Sequence, residues 1–168
     1  MRHICLTLCL AALISSAARA STATANLGVS ASITNNCIIS TAPLAFGGYE
    51  PLSGAPAVNG TGTVTVACTN GLTGAVITLG QGLHAAGGST DAVPLRQMQD
   101  AGTDKLTYKL YSDSGRTTVW GNTAGTGLAA STGTGTNQNL TVYGTIDSGQ
   151  STLPAGSYAD TVVATITF

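Results

Sequence analysis

This 168-residue chain carries charge on only 8% of its side chains, six basic against seven acidic, for a formal net charge of −1. Without a basic patch, nucleic acid is a poor candidate partner. The length is enough for one domain with a packed core, and the polar complement is mostly threonine, serine, asparagine and glycine.

Residues 1–20 have the form of a secretory signal peptide: Met1-Arg-His, an apolar run over 4–14, and Ala18-Arg19-Ala20 before the expected cut. The apolar run is too short for a transmembrane anchor. Cys5 and Cys9 would leave with it. In the mature chain, 21–168, four basic residues (Arg96, Lys105, Lys109, Arg116) face seven acids, a net charge of −3. Ala23, Ala25, Leu27, Val29, Ala31 and Ile33 then alternate with Thr22, Thr24, Asn26, Gly28, Ser30 and Ser32. That is the period of a strand with one apolar face.

Further along, 42–49 reads as a short extended piece ending in a glycine turn, and 53–62 as a loop by composition. Strands are expected at 63–68 and 75–79, separated by a turn at Asn70-Gly71, and a further loop at 85–91 precedes 94–98. Residues 105–111 alternate cleanly, with Leu106, Tyr108 and Leu110 inward and Thr107, Lys109 and Tyr111 outward. A turn at 113–116 leads to 117–121. The stretch 122–139 reads as a long bare loop. A strand follows at 140–146, with Leu140, Val142 and Ile146 inward. After a turn at 148–156, residues 158–168 alternate to the last residue. Val162, Ala164, Ile166 and Phe168 take one face, and Thr161, Val163, Thr165 and Thr167 the other. Many short strands without a helical period read as an antiparallel β-sandwich.

Two cysteines remain after export, Cys37 and Cys68. In an oxidising compartment a single disulfide is expected. Parity agrees: Cys68 shares the face of Val64 and Val66, and Cys37 that of Ala31 and Ile33. With His84 they make too few ligands for a metal site. No pairing of His84 with an acid or nucleophile suggests catalysis, so no catalytic residue, metal or cofactor is expected.

Both terminal runs lack Lys, Arg, Glu and Pro, the residues that usually blunt a sheet edge, and Asp160 is their one charge. They read either as ends meant to pair with other chains or as ordinary first and last strands of a self-contained sandwich.

The run Leu106-Thr-Tyr-Lys-Leu-Tyr-Ser-Asp113, followed by Arg116-Thr-Thr-Val-Trp-Gly121, Val142-Tyr-Gly144 and Leu153-Pro-Ala-Gly-Ser-Tyr-Ala-Asp-Thr-Val162, closely resembles the spore coat protein U family. That family includes the pilins of archaic chaperone–usher systems. Leu44-Ala-Phe-Gly-Gly-Tyr49, Gly62-Thr-Val-Thr-Val-Ala-Cys68 and Arg96-Gln-Met98 extend the resemblance over the whole mature chain. The resemblance implies an immunoglobulin-like sandwich, 33–168, that lacks its last strand and is completed by a donor strand. A periplasmic pilus chaperone would bind the edge strand of Val162, Ala164, Ile166 and Phe168. An outer-membrane usher would then join neighbouring subunits head to tail. The donor would be the extension 21–32, presenting Ala23, Ala25, Leu27 and Val29. Its first two apolar positions, both alanine, are weak for that role.

The resemblance thus implies a structural subunit of a surface pilus, exported through the periplasm to the cell surface and serving adhesion and biofilm formation. The alternative is a secreted spore or cell-surface coat protein of the same family, not assembled by an usher. An enzyme or soluble ligand-binding module fails on inventory. Trp120 is expected in the core rather than as a sugar platform. Arg96 and Arg116 are expected to be solvated or paired with an acid, and the loop after Trp120 to be a solvated connection.

Overall fold

A computed structural model describes residues 19–52 and 56–168. The expected signal peptide, 1–20, lies outside these residues save for its last two. The chain divides into two units, Met1–Ser32 and Ile33–Phe168. In the first, residues 19–32 are exposed and form no strand.

Among the described residues the second unit holds eight strands: β1 (Cys37–Ala42), β2 (Val58–Cys68), β3 (Val76–Leu79), β4 (Arg96–Gln99), β5 (Lys105–Tyr111), β6 (Leu128–Ala129), β7 (Gln138–Ile146) and β8 (Ala164–Thr167). Every pairing is antiparallel. One sheet runs β1-β2-β7-β5-β4 and the other β6-β3-β8. Alternation places Val64 and Val66, Leu106, Tyr108 and Leu110, and Val142 and Ile146 on the inner face of the larger sheet. There they meet Ile77 and Leu79 of the smaller. Trp120 lies at the centre of this core, fully buried, and its indole Nε1 donates to the Ile77 carbonyl at 2.9 Å. This is the antiparallel sandwich that strand spacing predicts.

The terminal run, expected to be a strand over 158–168, is strand only at Ala164–Thr167, with Ala159 bridging Gln99 before it, so Val162 precedes the strand. Three further segments depart from expectation. The expected loop over 53–62 is strand from Val58 onward, because Val58–Gly62 pairs residue for residue with Val142–Ile146. Its glycines signal close approach rather than a turn. A Cβ at Gly62 would stand 2.9 Å from the Cβ of Leu44, and one at Gly144 would stand 2.8 Å from atoms of Leu44 and Phe46. Two paired strands are therefore thinned to let the 44–46 segment lie on them. The stretch 122–139 is not a bare solvated connection. It carries β6 against β3, and the Ala130, Gly133 and Gly135 amides donate to the carbonyls of Ala75, Leu72 and Cys68. Residues 117–121, by contrast, form only one bridge, Val119 to Tyr111.

Candidate functional site: an open seam between two edge strands

β1 is an outer strand of the larger sheet and β8 an outer strand of the smaller. β8 pairs through Ala164–Thr167 with Leu79–Val76 of β3, and its other side has no strand partner among the described residues. Neither edge contains a charge or a proline. At one end of the seam, Cys37, Ile166 and Ala130 pack around the buried cluster of Cys68, Leu72 and Ala75. Beyond it the seam opens into a cavity of about 1020 Å³ between residues 41–51, the end of β1 and the segment after it, and 153–162, which lead into β8. Core side chains such as Val64, Leu106 and Val142 reach its wall, and half-buried Leu44, Phe46, Val162 and Ala164 line its sides. Phe46 meets Tyr108 edge-on at a centroid distance of 6.1 Å. An apolar trough between two unpaired backbone edges can accept an extended segment by main-chain pairing plus burial of alternate side chains. It presents no catalytic constellation, and no group of three or more metal-ligating side chains occurs among the described residues.

The leader of β8 is fastened by a polar cluster on the same wall. The Asp160 side chain, only 2% exposed, accepts from the Tyr108 hydroxyl at 2.7 Å and the Leu83 amide at 2.9 Å, and lies 3.2 Å from His84 Nδ1. It thereby ties β5 and the segment after β3 to the strand that borders the seam. Burial, together with the bond to Asp160, pushes the Tyr108 phenol well above the usual tyrosine range. That keeps the hydroxyl a donor at any ordinary pH. Close by, Arg96 is 1% exposed and donates to the carbonyls of Gly80, Leu79 and Trp120, each at 2.8 Å. Burial draws its guanidinium down to about 10, against the opposing fields of Tyr108 and Asp160. The expectation that Arg96 is solvated or acid-paired is thus overturned. Three backbone carbonyls give Nε and Nη2 of this buried fork-shaped donor their partners, while Nη1 has none.

Cys37 and Cys68 face each other across β1 and β2 and form the expected disulfide. Val162, Ala164 and Ile166 share the inward, half-buried face. Phe168 departs from it. It is 54% exposed and lines a shallow hollow with Thr165 and Thr167, because the ladder with β3 ends at Thr167 and nothing holds the last residue in register. Ala23, Ala25, Leu27 and Val29 are exposed, Leu27 at 88% and Val29 at 87%. Sequence reading did not identify the Asp160 cluster, yet a signal existed. Asp160 has the parity of Val162 and Ala164, and Tyr108 that of Leu106 and Leu110, so an acid and a phenol were both directed inward and needed partners.

The model of the Spore Coat Protein U domain matches residues 23–165. Protein U of Myxococcus xanthus is 50% identical over 162 residues, covering 91% of this chain and 89% of that protein. Among solved structures, a chain of the CsuC–CsuE chaperone–tip adhesion subunit pre-assembly complex, from the archaic chaperone–usher Csu pili of Acinetobacter baumannii, superposes with a TM-score of 0.57 at 20% identity. The match covers 81% of this chain but only 40% of the length of that one. The likeness is one of fold, that of a chaperone–usher pilin. An all-β sandwich with this disulfide, matched by the family model over nearly all of its length, places the chain in the Spore Coat Protein U domain family.

Proposed function

We propose that the chain is a structural subunit of a surface pilus, assembled by the chaperone–usher pathway through donor-strand exchange and serving adhesion and biofilm formation. The observation that carries this reading is the open apolar seam between two uncharged edge strands, in a chain that also bears an exposed alternating segment. A periplasmic chaperone would pair with the free edge of β8, covering Val162, Ala164 and Ile166. At an outer-membrane usher the strand would be replaced by residues 21–32 of the next subunit, with Ala23, Ala25, Leu27 and Val29 entering the seam. Leu27 and Val29 would each contribute about 1.5–3 kcal/mol if fully buried, and the alanines less. Backbone pairing supplies much of the remainder, which suits a sequence-tolerant exchange. Such a contact is head-to-tail and does not close on itself, so it builds a fibre.

Full-length 50% identity to a protein named Protein U favours a second reading, a secreted coat protein that uses no usher. Leu27→Asp separates the two when the chain is co-expressed with a chaperone and an usher. An unpaired carboxylate would have to enter an apolar trough. The variant should therefore still form a soluble chaperone complex but no fibres by electron microscopy. If Leu27→Asp still built long, heat-resistant polymers, the exchange reading would fail and the coat-protein reading would lead.

A further inference from the structure

The outer face of the larger sheet carries a second surface, remote in kind from the seam. We propose that Arg116, Tyr143 and Tyr111 form a binding site there for an acidic saccharide, a sugar chain bearing carboxylates. Arg116 is held at φ 55°, the one non-glycine residue with positive φ among the described residues. The turn that holds it is stiff. Asp113 accepts from the amides of Thr117 and Thr118 and from the Thr117 hydroxyl, and the Arg116 amide donates back to the Asp113 carbonyl. Glycine would adopt this backbone without cost, so a long cationic side chain is kept here against local strain.

The guanidinium lies over the Tyr143 ring, 5.7 Å from its centroid. Its Nε and Nη1 make long contacts of 3.3 Å to the carbonyls of Gly144 and Ser114, and no carboxylate lies within ion-pair distance among the described residues. The other cations of the sandwich are occupied. Arg96 is buried on carbonyls, Lys109 pairs with Asp147 at 2.6 Å, and Lys105 donates to Gln99. Arg96 Nη1 also lacks a partner but is sealed in the core, so Arg116 is the cation outside the core with donors to spare.

Register places Thr61, Tyr143 and Tyr111 side by side on three adjacent strands, on the face opposite the core. Both tyrosines are half-buried, and their hydroxyls make no hydrogen bond among the described residues. Sugar rings stack their C–H faces on such rings, their hydroxyls suit threonine and tyrosine oxygens, and a carboxylate matches the guanidinium fork. A neutral sugar would leave the strained cation unpaired. A bare inorganic anion would have no use for two aromatic rings.

The test is a titration of the purified, disulfide-bonded protein with a linear trimer of galacturonic acid, followed by amide NMR shifts. A neutral trisaccharide and inorganic phosphate serve as parallel arms. The acidic trimer should shift the amides of Thr61, Tyr111, Arg116 and Tyr143 and lose affinity as salt rises. Arg116→Gln should weaken it at least about tenfold, the loss of one charge-assisted contact. Arg116→Gly should lose binding equally while its thermal midpoint stays level or rises, since strain is relieved. No shift with the acidic trimer, equal binding of the neutral sugar or phosphate, or undiminished binding by Arg116→Gln would each overturn the proposal. None of these outcomes touches the seam, so they leave the pilus reading where it stands.

Discussion

Asp160 and Tyr108 meet at the seam wall as a carboxylate and a phenol, both buried, each satisfying the other. A hydrogen bond to a charged acceptor contributes about 1.5–3 kcal/mol, and an orphaned buried partner costs a similar amount. Tyr108→Phe should therefore lower stability at neutral pH by about 1.5–3 kcal/mol, read from denaturant midpoints. The pH dependence has a definite sign. The folded phenol is held above its ordinary value of 10 by burial first and by the Asp160 bond second. As pH rises past 10, the unfolded chain releases this proton while the folded chain retains it, so stability falls. The contribution is whole below pH 10 and lost above it. Tyr108→Phe should show a shallower alkaline decline than the wild type; an equal slope would remove Tyr108 from the account.

At the scale of elements, the smaller sheet is held by what lies against it as much as by its own pairing. β6 is two residues long, and the glycine-rich chain on either side of it runs along β3 and the end of β2. Gly133 exchanges backbone bonds with Leu72 and Gly71, and a Cβ there would collide with the carbonyl oxygens of Thr69 and Cys68. Backbone atoms cannot rotate aside as a flexible side chain can. Gly133→Ala should thus cost about 1–3 kcal/mol by overpacking. Gly125→Ala, which meets nothing within 4 Å, should be close to neutral. Thermal melts of the two variants side by side make the comparison. Equal melts would mean that the 122–137 stretch is the solvated loop its composition suggests.

At the largest scale, the second unit, Ile33–Phe168, is a sandwich whose two sheets share a core and leave a seam open between β1 and β8. β1 is an outer strand paired with β2, and the Cys37–Cys68 bond fixes it at the start of that pairing. The bond closes a loop of 31 residues in sequence separation. In the chain-entropy model such a loop is worth about 3–4 kcal/mol, so Cys37→Ser or reduction should cost about 2–5 kcal/mol. Because Cys37 and Cys68 also pack with Ile166 of β8, loss of the bond should loosen both borders of the seam together. Hydrogen exchange on the reduced protein checks this. β1 and β8 amides should exchange faster while the central β5 amides change least.

Period-2 alternation in the amino-acid sequence was enough to determine that the chain is all-β, where most strands lie, and which side chains of 63–68, 105–111 and 140–146 point inward. Parity and the expectation of an oxidising compartment were enough for the disulfide. These are local properties, set by the pleat and by redox chemistry. Parity says which face a residue takes but not what it meets there. The pairing of Asp160 with Tyr108, the carbonyl nest around Arg96, the early start of β2 and the β6 contact all join residues distant in sequence, and only tertiary packing brought them together. Glycine misled for the same reason. By composition Gly60, Gly62 and Gly133 read as loop, whereas in the fold they are places where another stretch of backbone or a large side chain passes too close for a Cβ. The open seam belongs to this second class. It exists because the partners of β1 and β8 lie in different sheets, which no property of either strand alone determines.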